Sequence, residues 1–237
     1  MKEHPILFSA PMVRAILTGA KTITRRVAWL SDDALNMIDA ADRVGAIREL
    51  RVPANADGYG FVGYKLGVEF YSAPIHCPYG APGDRLWVRE TFYCDDRRYK
   101  SMPDNDRQRA EFLAEMYYRA DATWTGTVSE LKCLGDGKSL WKPSIHMPRW
   151  ASRITLEVTG VRVEQLHDIT NRDAWEEGID AFDGAIDDAK ICAAANQLGC
   201  SPEDARATFA CVWDDLNGQH APWRSNPWVW CISFRRP

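Results

Sequence analysis

The chain has 237 residues, 46% of them hydrophobic and 26% charged, with 29 Lys and Arg against 33 Asp and Glu for a net charge of −4. This length holds one domain with long insertions or two small ones, and the apolar content is enough for an ordinary core. The acidic balance, with a pI near 5.8, argues against a protein that wraps long nucleic acid, because phosphate contacts need clustered cations.

Residues 5–8 read as a short buried strand. Ser9 follows as a helix N-cap, with Pro11 in the first turn, where a missing N–H costs nothing. Met12, Ala15 and Ile16 recur at helical spacing, and Gly19 suits the left-handed position that ends a helix. The next strand opens on cations and hydroxyls: Lys21, Thr22, Thr24, Arg25 and Arg26. At a period of two, Thr22, Thr24 and Arg26 share one face. Residues 28–57 are polar and mixed; Ser31-Asp32-Asp33 reads as the cap of a short helix and Asp57-Gly58 as a turn. Residues 59–70 read as a hairpin about Gly67.

Residues 77–84 are rich in turn formers and feed a strand over 85–92. Leu86, Val88 and Glu90 fall on one face and Trp87, Arg89 and Thr91 on the other; Arg89-Glu90 reads as a solvated pair or as a pairing across the sheet. Residues 95–114 are charged, 116–120 look like a strand, 123–126 begin its turn, and 132–140 read as a loop. Residues 141–150 hold too much proline for a helix or central strand. They are expected to wrap the surface as an ordered loop that places His146 near two tryptophans and an arginine, as a base-pocket candidate.

Residues 153–164 alternate almost strictly, with Ile154, Leu156 and Val158 facing inward and Gly160 permitting a bulge. Thr170 caps a short helix, with Asp173 three residues on as a capping-box variant. Ala174 and Glu177 follow, and Gly178 ends it. Glu177 thus sits near a helix C-terminus, where a negative charge is disfavoured by roughly a few tenths of a kcal/mol. Residues 180–200 read as helical. Ser201 and Pro202 mark the next helix start, with Ala205, Phe209, Val212, Trp213 and Leu216 at helical spacing and Gly218 as the stop. Residues 228–234 form the last strand.

The seven cysteines are scattered and lack C-x-x-C spacing, and His76, Cys77 and Cys94 match no zinc pattern. No metal and no cofactor are expected. No signal peptide precedes Pro5 and no apolar run reaches ~18 residues, so a cytoplasmic protein with free thiols and no membrane partner is expected.

The run Gly19-x-Lys21-x-x-Thr24-x-Arg26, after a strand and a short helix, resembles the ASCH domain of the PUA-like superfamily. It is most similar to the small bacterial N4-acetylcytidine amidohydrolases, and longer relatives occur as phage and prophage proteins, some labelled morphogenetic. The resemblance also covers Gly83-Asp84-x-Leu86-x-Val88, the strand and helix at 154–179, and the last strand. It implies an α+β fold: a single PUA-like mixed β-barrel domain over 1–237, with short flanking helices and long insertions at about 27–75 and 95–145.

The resemblance further implies an amidohydrolase that converts N4-acetylcytidine to cytidine and acetate. Lys21, Thr24 and Glu177 match the family's catalytic set. Thr24 is then the nucleophile, Lys21 its base, and Glu177 the proton carrier to the leaving amine; Arg26 holds the base or polarises the acyl oxygen. Thr22 is the rival hydroxyl and Glu176 the rival carboxylate. Lys21 can act as a base only when neutral, which at pH 7 needs a pKa depressed by about three units from ~10.4, or roughly 4 kcal/mol. Burial and Arg26 push that way, whereas a carboxylate opposes it, so Glu177 is expected to stand off from Lys21 at rest. The expected partner is a small modified nucleoside. The alternatives are an RNA-binding module, which the acidic charge disfavours, and an ASCH-type ribonuclease, in which Lys21 would stabilise a phosphate transition state.

Overall fold

The computed structural model of the chain describes residues 1–28, 47–51, 60–65, 68–71, 76–93, 116–121 and 141–237. Its centre is a five-stranded mixed sheet in the order β1 (Glu3–Leu7), β6 (Arg85–Arg89), β9 (Thr155–Gln165), β10 (Trp228–Arg235), β2 (Ile23–Val27). β1 runs parallel to β6 and the other pairs are antiparallel. Residues 47–71 carry a separate three-stranded sheet of β3 (Ile47–Arg51), β4 (Gly60–Lys65) and β5 (Val68–Tyr71). In it β4 and β5 pair as the expected hairpin, with Lys65 opposite Val68. A third pair joins β7 (Phe92–Tyr93) to β8 (Tyr117–Tyr118).

The expectation of an α+β chain holds, but the expected closed barrel is not seen among the described residues. β1 and β2 remain the two edges of the sheet. What links them is α1 (Ala10–Thr18) and one side chain: the Arg26 guanidinium on β2 donates to the Leu7 carbonyl on β1.

β10 explains how the sheet is covered. Its residues alternate between two cores: Trp230, Ile232 and Phe234 pack with Ile6, Val13, Ile16, Leu86, Leu156 and Val158. Val229 and Cys231 pack instead with Leu166, Ile169, Phe209, Trp213 and Trp223. A strand buried on both faces needs an almost continuous apolar run, which Trp228 to Phe234 supplies. β9 reads as expected, with Leu156 and Val158 buried. Its register against β10 slips between Ser233 and Phe234, opposite Gly160, the bulge that glycine permits.

Three helices follow β9: α2 (Asn171–Glu176), α3 (Asp188–Leu198) and α4 (Ala205–Asn217). The Thr170 hydroxyl caps α2 by accepting from the Asp173 N–H at 3.0 Å. α4 departs from the expected start at Ser201-Pro202. It begins at Ala205, where Asp204 is the cap, accepting from the Arg206 N–H at 3.0 Å and pairing with the Arg206 guanidinium. Residues 141–150 form the ordered loop expected, held by the bridge between Phe92 and Lys142 and by 3-10 turns at Ser144–His146 and Arg149–Ala151. Glu90 is not solvated but pairs across the sheet, with Arg153 at the entry to β9 rather than with Arg89. It is buried and bonded twice by Arg153, at 2.9 and 3.1 Å.

The cap expected at residues 31–33, the turns at 57–58 and 123–126, the charged stretch 95–114 and the loop 132–140 lie outside the described residues. Among the described residues, no helix is long and apolar enough to cross a membrane, and Cys77, Cys192, Cys200, Cys211 and Cys231 are free thiols.

Candidate active site

The site forms where two chain reversals meet. Gly19 ends α1 at φ +81, and the Lys21 N–H returns to the Ala15 carbonyl at 3.0 Å. Gly178 ends α2 at φ +76, and a side chain there would lie 2.7 Å from Ala15 Cβ and 2.9 Å from Lys21 Cβ. Only glycine tolerates both the backbone angle and this approach. The two turns can therefore lie in contact, with an isolated bridge between Lys21 and Glu177 and the Thr22 N–H donating to the Glu176 carbonyl at 2.9 Å.

Backbone contact sets the side chains. The Lys21 side chain is fully buried, and its Nζ donates to the Glu177 carboxylate at 2.6 Å and to the Glu177 carbonyl at 2.8 Å. This corrects the expectation that Glu177 stands off from Lys21. The paired turns leave the ammonium no route to water, and a buried ammonium without a partner is prohibitively costly. Burial nevertheless dominates, pushing the Lys21 pKa below the usual lysine value. Glu177 opposes that shift by charge and hydrogen bond, and Arg26 and Arg25 add to it.

Period-two alternation in β2 sends successive side chains to opposite faces. Thr24 lies opposite Ile232 and Arg26 opposite Trp230, on the face of the first core. Arg25 lies opposite Cys231 and turns to the helical side. There its guanidinium reaches Glu164 at 2.5 Å, Asp173 at 3.1 Å and Glu177 at 3.3 Å. Burial works against the Glu164 carboxylate, but Arg25, a hydrogen bond with Cys231 and Arg162 outweigh it and hold its pKa below the usual value. Arg25 fixes one Glu177 oxygen while Lys21 takes the other. This organising role was missed from sequence, although the parity of Arg25 against Thr24 and Arg26 was available as a signal.

A cavity of about 380 Å³ opens on this constellation. Thr24, Arg26 and Glu177 line it, with Phe8 and Ser9 from the β1–α1 junction and Trp213 and Asn217 from α4. Lys21 lies buried beyond the carboxylate and over the Phe8 ring, 5.7 Å from its centroid; Arg26 lies 5.1 Å from the same ring. The rivals are placed elsewhere. Thr22 is exposed, and Glu176 is ion-paired to Arg172 at 2.8 Å. His146 is exposed, and Ser144 of the same turn lines the cavity instead. Among the described residues, no group of three or more His, Cys, Asp or Glu side chains is arranged to hold a metal ion.

The arrangement offers a hydroxyl, a carboxylate backed by a buried amine, and a guanidinium around one open cavity, groups that can serve acyl transfer to a hydroxyl. Comparison of the chain with protein-family models, curated proteins and solved structures gives no match.

Proposed function

We propose that this chain is a PUA-like, ASCH-type amidohydrolase that removes the acyl group from N4-acylated cytidine, yielding cytidine and acetate from N4-acetylcytidine. The observation that carries the reading is the buried Lys21–Glu177 pair, whose carboxylate lines the same cavity as Thr24. In the proposed reaction the Thr24 hydroxyl attacks the acyl carbon and its proton passes to the Lys21–Glu177 pair, Lys21 acting as the base. The C–N bond breaks, the cytosine amine leaves with a proton delivered through Glu177, and the acyl group remains as a threonine ester. Water then cleaves the ester, releasing acetate and restoring the hydroxyl. Arg26, whose pKa burial lowers, holds the substrate's base.

RNA cleavage is less well supported, since Lys21 would have to reach a phosphate and is fully buried, and RNA binding is disfavoured by the net charge of −4. The test is to incubate purified protein with a panel of N4-acylated cytidines and follow free cytidine and carboxylate. Stoichiometric release by the wild type, lost in Thr24→Ala, is expected; no release from any member sinks the reading.

A further inference from the structure

We propose that Ser9 and Arg26 act as a donor pair for the 2-oxo group of the cytosine ring, which makes Ser9 a specificity-determining residue of the site. The inference rests on the amidohydrolase reading and adds to it the feature of the ring that is recognised. Ser9 occupies the N-cap position of α1 yet makes no capping bond with its side chain. The local sequence supplies the reason. A cap hydroxyl accepts from the N–H at the second or third helical position; the second here is Pro11, which has no N–H, and no bond to the third, Met12, is made. The hydroxyl is released from the helix, and its oxygen is buried with no partner among the described residues.

Arg26 Nε is in the same condition, buried and unpartnered among the described residues. Its guanidinium is held at the β1–α1 junction by the Leu7 carbonyl and the Phe8 ring, beside Ser9. Both residues line the cavity that Thr24 and Glu177 line. Two buried donors on one cavity wall call for an acceptor, since a buried polar group left unmatched is costly.

An N4-acylcytosine offers two carbonyl oxygens. The acyl oxygen is bonded to the carbon that Thr24 attacks, about 1.2 Å from it, so its donors must crowd Thr24. Arg26 stands two residues along the strand, roughly 7 Å away, with its head group anchored to the opposite edge strand. That placement suits the distant ring carbonyl.

The experiment is a substrate-by-variant cycle: N4-acetylcytosine against 4-acetamidopyrimidine, which lacks the 2-oxo group and the N1–H that accompanies it, with wild type, Ser9→Ala and Ser9→Thr. On N4-acetylcytosine, Ser9→Ala should lower kcat/KM about tenfold, chiefly by raising KM, as expected for one lost hydrogen bond to a buried acceptor. Ser9→Thr, which keeps the hydroxyl, should recover most of the loss. On 4-acetamidopyrimidine, wild type and Ser9→Ala should converge. Equal activity of Ser9→Ala and wild type on N4-acetylcytosine overturns the assignment, as does an equal loss on both substrates. Wild-type protein that hydrolyses neither compound overturns the hydrolase reading separately. Cytidine affinity by calorimetry then decides the donor pair alone: about tenfold weaker binding by Ser9→Ala supports it, and unchanged or absent binding overturns it.

Discussion

Replacing Glu177 by glutamine tests the electrostatics of the site most directly. The Lys21 side chain is fully buried and the Glu177 side chain is 4% exposed, with 2.6 Å between Nζ and Oε2. At an effective dielectric of about 20, two unit charges at that separation attract by roughly 6 kcal/mol, against a desolvation cost of several kcal/mol for each ion. Removing the carboxylate charge leaves the desolvation of Lys21 without its main compensation, while Arg25 keeps Glu164 and Asp173. Breaking such a pair costs about 3–5 kcal/mol, or a fall in Tm of roughly 6–20 °C for a chain of this size.

The pH dependence has a defined sign. A lysine whose folded pKa lies below its unfolded value binds more protons when unfolded, so stability rises as pH climbs from the folded toward the unfolded pKa. Lys21 is lowered already, and Glu177→Gln lowers it further, so the variant's deficit should be largest near neutrality and its stability should recover toward pH 10. Urea denaturation of the wild type, Glu177→Gln and Lys21→Met/Glu177→Gln at pH 7 and pH 9.5 measures this. The double variant should lie within about 1 kcal/mol of the wild type, since an uncharged pair carries no desolvation penalty. A single variant within 1 kcal/mol of wild type at pH 7, or with no recovery at pH 9.5, would refute the reasoning.

Thr24→Ala should lower turnover of N4-acetylcytidine at least ~100-fold, whereas Thr22→Ala, at an exposed position, should change it less than about threefold; initial rates decide between the hydroxyls. Gly178→Ala should cost at least ~2 kcal/mol in chemical denaturation, because the new Cβ meets Ala15 and Lys21 at a φ of +76. Ser9→Ala should cost under about 0.5 kcal/mol while Asp204→Ala costs about 1, since only the aspartate caps its helix; thermal melts of the two variants measure the contrast. Finally, kcat/KM for N4-acetylcytidine should change less than about threefold between 50 and 200 mM salt, because an uncharged ligand releases few counterions; a steep salt slope would point to a charged polymer as substrate.

Local chemistry was legible in the sequence wherever a residue's role depends on its own turn or strand. Gly19 ends α1, Thr170 caps α2, Gly160 lies at a bulge, and the alternation of β9 buries Leu156 and Val158. The parity of Thr24 and Arg26 follows from strand geometry as well. The start of α4 was misplaced at Ser201-Pro202, since serine and aspartate are comparable caps and Asp204, three residues on, takes the position. The site itself needed the tertiary structure. Lys21 and Glu177 are 156 residues apart, and no local pattern says that two glycine-ended turns will touch closely enough to bury their side chains together. Solvent exclusion is the deciding quantity: it lowers the Lys21 pKa, draws Glu177 into contact, and leaves Thr22, Glu176 and His146 outside the cavity. Desolvation depends on every atom that surrounds a group, and those atoms come from β1, α1, β2, the end of α2 and α4 at once.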